Sequence, residues 1–318
     1  MAKFINCLIL NTEIWALQLR FKYEYDFFDT IIITEARMTF AGETKPLYFE
    51  KYRHLFPDPE NKIIYDVIDT LPIENDVEYM TASGQRVQGN RWPAEHAMRN
   101  HCMSLLKEMD LSDEDLIAIQ DADEIGNIED MAKVGPTLAP NDVYKLGYEN
   151  YKASVHPGGY QEKLWLGGCL FRATLLEEDY HGLRRLYFNH DVDSLGYWHI
   201  QSPLFVSKLD GSPMYHFIKR PGLNPRRAER GESPLGWHFS SMSGGFQKLR
   251  LHKGQSFAHA EYSSKTIVSS EDYWAEVVAF TDEMAAAGKY DYTDLSEHLP
   301  DFVTTSIREF PILLLPKP

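Results

Sequence analysis

Short apolar runs alternate with helix-like stretches along the first third of the chain, and this alternation limits the fold more than any other feature. Ile5–Leu10 is a mostly apolar run, Ile14–Phe28 has helical character, and Thr30–Thr34 is rich in β-branched residues. Lys62–Ile68 follows as a third strand-like run. Short strands that alternate with amphipathic helices are typical of α/β sheets. The sequence therefore predicts an α/β fold with a central mixed sheet flanked by helices.

A helix and a buried strand are predicted to lead into a cluster of acidic residues. The stretch Pro93–Met109 repeats apolar side chains at the spacing of one helical face, and Pro93 suits its first turn. Leu116–Gln120 then has the pattern of a short buried strand and runs directly into Asp121-Ala122-Asp123-Glu124, which we call the acidic motif. Open α/β sheets bind ligands at the carboxyl ends of their strands. The acidic motif is therefore predicted to lie at a ligand-binding edge.

The spacing within the acidic motif suggests a cation site. Residues two apart on an extended backbone point to the same side, so Asp121 and Asp123 are expected to present their carboxylates together. Mg²⁺ and Mn²⁺ prefer oxygen ligands and are commonly shared between carboxylates and substrate phosphates. The motif alone is also compatible with a solvated acidic turn.

The second half of the chain is predicted to add strands, helices and one basic loop. Gly/Pro turns separate three strand-like segments, Val143–Val155, Leu164–Arg172 and Gln201–Ser207, and helices are predicted at Leu175–Leu186 and Glu271–Ala287. Ile218–Gly236 is rich in proline, glycine, lysine and arginine, which predicts a loop. Its basic part, Lys219–Arg230, is either a lid that closes over a bound diphosphate or a solvated loop.

Composition excludes some classes of protein. The net charge of −15 argues against a nucleic-acid-binding protein, because phosphate neutralisation needs clustered lysines and arginines. The chain has no run of about 18 apolar residues, so no membrane-spanning helix is predicted. Cys7, Cys102 and Cys169 are widely spaced, and we expect buried reduced thiols. Without a recognisable signal peptide or anchor, the expected location is cytoplasmic.

Several separated blocks of sequence resemble glycosyltransferase family 17, the family of β-1,4-mannosyl-glycoprotein 4-β-N-acetylglucosaminyltransferase. The blocks occur in the same order and extend over roughly Phe4 to Leu299. They are Ile31–Glu35 with Thr39–Gly42 and Lys45–Phe49, then Trp92, Glu95, Arg99 and Asn100, then the acidic motif with Ile125, then Gly236–Ser240, and finally Phe257–His259 with Glu261. The sequence departs from the animal enzymes at Gly126 and Phe239, and no counterpart of their membrane anchor or lumenal cysteines is expected.

This resemblance implies a GT-A-like nucleotide-sugar-binding fold in a single catalytic domain, residues 1–318. Its expected parts are a nucleotide-binding half at 1–135, an acceptor half at 136–300 and a C-terminal tail at 301–318. It also implies an inverting transfer of a sugar, N-acetylglucosamine in the named activity, from a UDP-sugar donor to a glycan hydroxyl. A divalent cation, Mn²⁺ or Mg²⁺, would assist by neutralising the diphosphate.

The resemblance and the residue chemistry together suggest roles for individual side chains. The predicted metal ligands are Asp121, Asp123 and His259. The predicted contacts to the donor are Asn11, Glu13, Glu35, Arg99, Asp121 and Trp237. The candidates for acid–base catalysis are Glu261, Asp191, Asp193 and His238, since the acceptor hydroxyl must lose its proton. Simpler structural explanations are open for some of them: Asn11 or Thr12 could cap a helix, Glu95 and Arg99 could form a surface pair, and both histidines could be structural.

Two other classes of protein stay open on the sequence alone. The first is a catalytically silent carbohydrate-binding protein, although such a protein has no need of the Asp121 and Asp123 pair. The second is a metal-dependent phosphohydrolase, which would want further ligands or a two-metal cluster that the sequence does not clearly offer.

Overall fold

The computed structural model describes most of the N-terminal half and shorter stretches of the rest. Described are residues 2–80, 86–140, 142–152, 160–176, 197–206, 213–219, 236–240, 242 and 301–306, with isolated positions between 279 and 287. The strands are β1 Phe4–Leu10, β2 Thr30–Ala36, β3 Ile63–Ile68, β4 Glu74–Met80, β5 Arg86–Asn90, β6 Leu116–Asp121, β7 Glu124–Ile125, β8 Val143–Lys152, β9 Tyr160–Arg172, β10 Tyr197–Val206, β11 Pro213–Lys219 and β12 Gly236–Ser240. The α-helices are α1 Ile14–Glu24, α2 Tyr48–Lys51, α3 Trp92–Glu108, α4 Ile128–Val134 and α5 Asp301–Ser306. Short 3-10 helices occupy Arg53–Leu55, Gly135–Thr137 and Ala173–Leu175.

One eight-stranded mixed sheet organises the molecule, in the order β3-β2-β1-β6-β9-β8-β12-β7. The first four strands are parallel, β9 runs antiparallel to both β6 and β8, β12 is parallel to β8, and β7 is antiparallel to β12. Only two residues separate β6 from β7, yet β7 pairs with β12 at the far edge. The sheet therefore curls so that its last strand returns beside β6. Strands of both predicted halves share this sheet.

The parallel strands β1, β2 and β6 are buried on both faces, which explains their mostly apolar sequences. On one face of β1, Leu8 and Leu10 pack in a core cluster with α1, whose Ile14, Trp15 and Leu17 are fully covered. On the other face, Ile5 and Cys7 pack in a second cluster with α3. All three cysteines are free and buried, as predicted.

The predicted α/β class and the first elements are confirmed. The predicted strands at Ile5–Leu10, Thr30–Thr34, Lys62–Ile68 and Leu116–Gln120 correspond to β1, β2, β3 and β6, and the helix at Pro93–Met109 corresponds to α3. The first helix ends at Glu24 rather than Phe28. The features that would make the fold specifically GT-A-like belong to the proposal below.

The second half agrees with the prediction in part. Three predicted strands correspond to β8, β9 and β10, whereas β11, β12 and α5 were not predicted. In the first half, the elements not predicted are β4, β5, β7, α2 and α4. Residues 220–235 of the basic loop, residues 177–186 of one predicted helix and most of Glu271–Ala287 lie outside the described residues. In the described part of the chain, no helix has both the length and the apolar character needed to cross a membrane.

Candidate functional site

The acidic motif lies where β6 ends and β7 begins, at the carboxyl end of the parallel strands. Asp121 is the last residue of β6, Ala122 and Asp123 form a turn, and Glu124 opens β7. The backbone is therefore not extended through the motif, and strand alternation does not decide where Asp123 points. The Ala122 amide donates to the Ile9 carbonyl at 3.3 Å, which ties the turn to the end of β1. The Asp121 amide donates to the Glu124 carboxylate at 3.0 Å.

Asp121 is held by a guanidinium from α3. Arg99 Nη2 donates to both carboxylate oxygens of Asp121, each at 3.0 Å. Its Nη1 atom donates to the Glu95 carboxylate, one helical turn away. The Arg99 side chain is 5% exposed and that of Asp121 is 26% exposed. The helical Glu95–Arg99 pair predicted from the sequence is thus present, but it is mostly buried and extends to the acidic motif.

Asp123 approaches a histidine from a distant part of the chain. His238 Nε2 lies 3.7 Å from Asp123 Oδ1, and both side chains are nearly buried. Backbone contacts fix this approach, because His238 pairs with Glu124 across β12 and β7 and the Phe239 amide donates to the Asp123 carbonyl at 2.9 Å. The structure therefore brings together two of the predicted site residues. The local sequence did not indicate that His238 lies within a strand.

Trp237, the neighbour of His238, lies in an aromatic cluster. Its ring meets Tyr23 of α1 at a centroid distance of 5.5 Å and Phe302 of α5 at 5.2 Å, both edge to face. Tyr23 and Phe302 stack on each other at 4.4 Å. Such contacts stabilise the docking of α5 on α1 and β12. The predicted contact of Trp237 with the donor stays a prediction.

The turn between β1 and α1 lies next to the acidic motif in the sheet. Glu13 accepts hydrogen bonds from the backbone amides of Asn11 at 3.2 Å and Thr12 at 2.9 Å. Its carboxylate therefore satisfies two amides that precede the helix. The Thr12 hydroxyl is buried, and no described residue forms a hydrogen bond with it. Neither Asn11 nor Thr12 caps α1 with its side chain, since the N-cap residue is Glu13.

Glu35, at the corresponding end of β2, is fully buried and has four hydrogen-bond donors. Lys45 Nζ lies 2.6 Å from its Oε1, the amides of Tyr48 and Phe49 donate at 2.8 and 3.0 Å, and the Tyr65 hydroxyl donates at 3.0 Å. Burial lowers the pKa of Lys45, while the Glu35 charge opposes this shift. These contacts order the start of α2. A contact of Glu35 with the donor stays a prediction.

A buried arginine that the sequence analysis did not single out lies beneath the acidic motif. Arg20 of α1 donates from Nη1 to the carbonyl oxygens of Asp121, at 2.8 Å, and of Glu124. It also forms an ion pair with Glu24, with 2.6 Å between Nε and Oε2. The sequence shows the helical spacing of Arg20 and Glu24. It does not show that both are buried beneath the acidic motif, about a hundred positions away.

Other predicted site residues lie outside the described residues. These are Asp191, Asp193, His259 and Glu261. Among the residues that are described, no group of three histidine, cysteine or acidic side chains converges as a metal site. Asp123 and His238 together offer one oxygen and one nitrogen donor, and Asp121 lies two residues from Asp123.

Comparison with protein families gives a match for the N-terminal part of the chain. Residues 1–136 match the model of glycosyltransferase family 17, and the matched region runs from β1 through α4 and includes the acidic motif, Arg99 and Arg20. His238 lies beyond it. No curated protein matches the chain. Residues 1–136 are therefore similar to glycosyltransferase family 17, and this match supports a glycosyltransferase enzyme.

Proposed function

We propose that this enzyme transfers a sugar, in the first instance N-acetylglucosamine, from a UDP-sugar to a hydroxyl group of a glycan, with inversion at the anomeric carbon. The observation that supports this most is the 3.7 Å approach of Asp123 and His238 at the carboxyl end of β6. Ligands of open α/β sheets bind at this edge, and the family match covers the acidic motif. The sugar and its acceptor follow from the family resemblance.

The donor set fits a divalent cation such as Mn²⁺. Asp123 and His238 already lie close together, whereas the Asp121 carboxylate is paired with Arg99. Carboxylate oxygen and imidazole nitrogen are both ligands that Mn²⁺ accepts. Asp123 and His238 would hold the ion, with His259 as the further ligand that the sequence suggests, and the ligand role of Asp121 stays a prediction. When bound, the ion would neutralise charge that develops on the departing diphosphate.

The chain's own groups would bind and orient the donor. The Thr12 hydroxyl is buried without a hydrogen-bond partner among the described residues, so a polar group of the nucleotide that reached it would satisfy it. The Glu13 carboxylate occupies the adjacent amides, which favours the neutral base or ribose over a phosphate at this turn. Arg99 keeps the Asp121 carboxylate in place from α3.

The proton of the acceptor hydroxyl needs a base, and the position of His238 supports a proposal about which candidate it is. Because His238 lies against Asp123, we assign it to the cation site rather than to proton removal. The base is then one of Glu261, Asp191 and Asp193. General-base action by such a group contributes about a hundred- to ten-thousand-fold.

The test measures UDP release from a panel of UDP-sugars with Mn²⁺, with and without candidate glycans. Asp123→Asn should abolish metal-dependent turnover while the protein stays folded. Asp66→Asn is the matched control, because Asp66 also contacts a histidine, His101, but does so between β3 and α3. Its turnover should equal that of the wild type. Absence of UDP release with every donor, or wild-type turnover of Asp123→Asn, would refute the proposal, whereas release of inorganic phosphate would favour a phosphohydrolase.

A further inference from the structure

Arg20 places a full positive charge in the interior, directly beneath the acidic motif. The residue is only 1% exposed. From α1, its Nη1 atom reaches the carbonyl oxygens of Asp121 and Glu124, the first and last residues of the motif. One guanidinium therefore holds the two ends of the turn that carries both aspartates.

Glu24 fixes the guanidinium from its other side. Its Oε2 atom lies 2.6 Å from Arg20 Nε, and its Oε1 atom lies 3.2 Å from Nη2. The same carboxylate accepts from the Gly126 amide at 3.1 Å and from Asn6 Nδ2 at 3.1 Å. The ion pair thus binds the chain both within the acidic motif and just after it.

The choice of arginine is informative. Removing a guanidinium and a carboxylate from water is costly, and an apolar pair of similar volume usually fills a core as well or better. What an apolar side chain cannot supply is a planar fork whose donors bind a carboxylate and two carbonyl oxygens at once. Arg20 donates to the backbone of the acidic motif. What the buried arginine contributes is therefore a fixed conformation of that turn.

We infer that Arg20 is a positioning residue: by holding the carbonyl oxygens of Asp121 and Glu124, it keeps the Asp121 and Asp123 carboxylates where cation and donor bind. This inference rests on the proposed function for its effect on the cation. Its structural part, the fixed turn, is independent of that function. Residues that orient metal ligands typically change metal affinity or activity about 10- to 100-fold when they are replaced.

The test compares Arg20→Lys with Arg172→Lys. Arg172 is also buried, contacts Glu114 and donates to the carbonyl oxygens of Leu138, at 2.6 Å, and Pro136, at 3.4 Å. It pairs with Leu116, at the opposite end of β6 from Asp121. In both variants lysine keeps the positive charge but loses the planar guanidinium, so both proteins should lose stability. Only the Arg20→Lys substitution lies at the acidic motif.

Two measurements separate positioning from a merely structural role. The first is the affinity of the folded protein for Mn²⁺ by calorimetry, and the second is amide hydrogen exchange across residues 121–126. Arg20→Lys should bind Mn²⁺ about 10- to 100-fold more weakly and exchange faster in this segment. Arg172→Lys should match the wild type in both.

Each outcome distinguishes a positioning role of Arg20 from a merely structural one. Wild-type affinity and exchange in Arg20→Lys, or equal changes in Arg172→Lys, would overturn the inference. If the wild type itself does not bind Mn²⁺, the proposed cation role fails, and faster exchange confined to Arg20→Lys still supports the fixed turn. If Arg20→Lys does not fold, Glu24→Gln replaces it. That variant keeps an oxygen toward Gly126 but removes the counter-charge, and unchanged exchange across 121–126 would again overturn the inference.

Discussion

The close approach of β12 to β7 depends on Gly236, and Gly236→Ala would test the packing that brings His238 to Asp123. A Cβ atom added at this position would lie 2.3 Å from the Ile125 carbonyl oxygen, 2.9 Å from a Tyr148 ring carbon and 3.0 Å from the Gly126 Cα atom. Two of these three obstacles are backbone atoms. They cannot move aside by rotating a side chain, so the strand itself must shift.

The required shift sets the expected magnitude. The contact with the Ile125 carbonyl must lengthen by at least about 0.7 Å to reach the 3.0 Å below which real Cβ atoms are essentially never found. Overpacking of this kind lowers the free energy of unfolding by about 1–3 kcal/mol. His238 lies two residues along β12, so it moves relative to Asp123. A displacement near 1 Å in a site can reduce the rate about 100-fold.

The assay combines chemical denaturation with UDP release, and Gly135→Ala is the matched control. At Gly135 the added atom would meet Leu116 Cδ1 at 2.6 Å and the Phe4 ring at 3.1 Å, at the amino end of β6. These are side-chain atoms that can turn away, so a smaller loss of stability and unchanged turnover are expected. If Gly236→Ala unfolds at the wild-type denaturant concentration and turns over normally, the described packing of β12 on β7 is wrong.

Two further predictions concern buried carboxylates. Glu35→Gln should lower the free energy of unfolding by about 3–5 kcal/mol, because Lys45 is left buried without its counter-charge; normal stability in guanidinium chloride with weaker donor binding would instead support a nucleotide contact. Burial raises the pKa of Glu24 to about 7 from an ordinary 4.5, although Arg20 opposes this. Because the folded-state pKa is the higher one, the contribution of Glu24 to stability is greatest below pH 4.5 and is lost as the pH rises through 7. In urea unfolding, the free energy of unfolding of the wild type should therefore fall by at most about 3 kcal/mol relative to that of Glu24→Gln between pH 4.5 and 7. A rise in this free energy with pH would contradict the raised pKa of Glu24.

The parallel half of the sheet was predictable because its signals are local. Strands β1, β2 and β6 are buried on both faces, so each appears in the sequence as a short apolar run. The acidic motif was placed at the end of such a run, and the structure confirms that position. The helical spacing of Glu95 and Arg99 likewise indicated a pair before the structure showed it.

The remainder of the site depends on contacts between distant segments, which a single sequence does not display. Nothing near His238 indicates that it pairs with Glu124, because strand pairing between β12 and β7 joins residues more than a hundred positions apart. The burial of Arg20 was missed for the same reason. An arginine with a glutamate four residues later is usually an exposed helical pair of little energetic weight.

The charges around the acidic motif explain why Asp123 is the better candidate for holding a cation. Asp121 already faces a guanidinium, since Arg99 donates to both of its oxygens, and the Glu124 carboxylate accepts from the Asp121 amide. Asp123 instead faces His238, whose neutral imidazole would bring a second donor rather than a permanent positive charge. A divalent ion at Asp121 would have to compete with the Arg99 guanidinium for the same carboxylate oxygens, whereas at Asp123 it would gain the imidazole nitrogen as a second ligand. Cation binding should therefore depend more strongly on Asp123 than on Asp121.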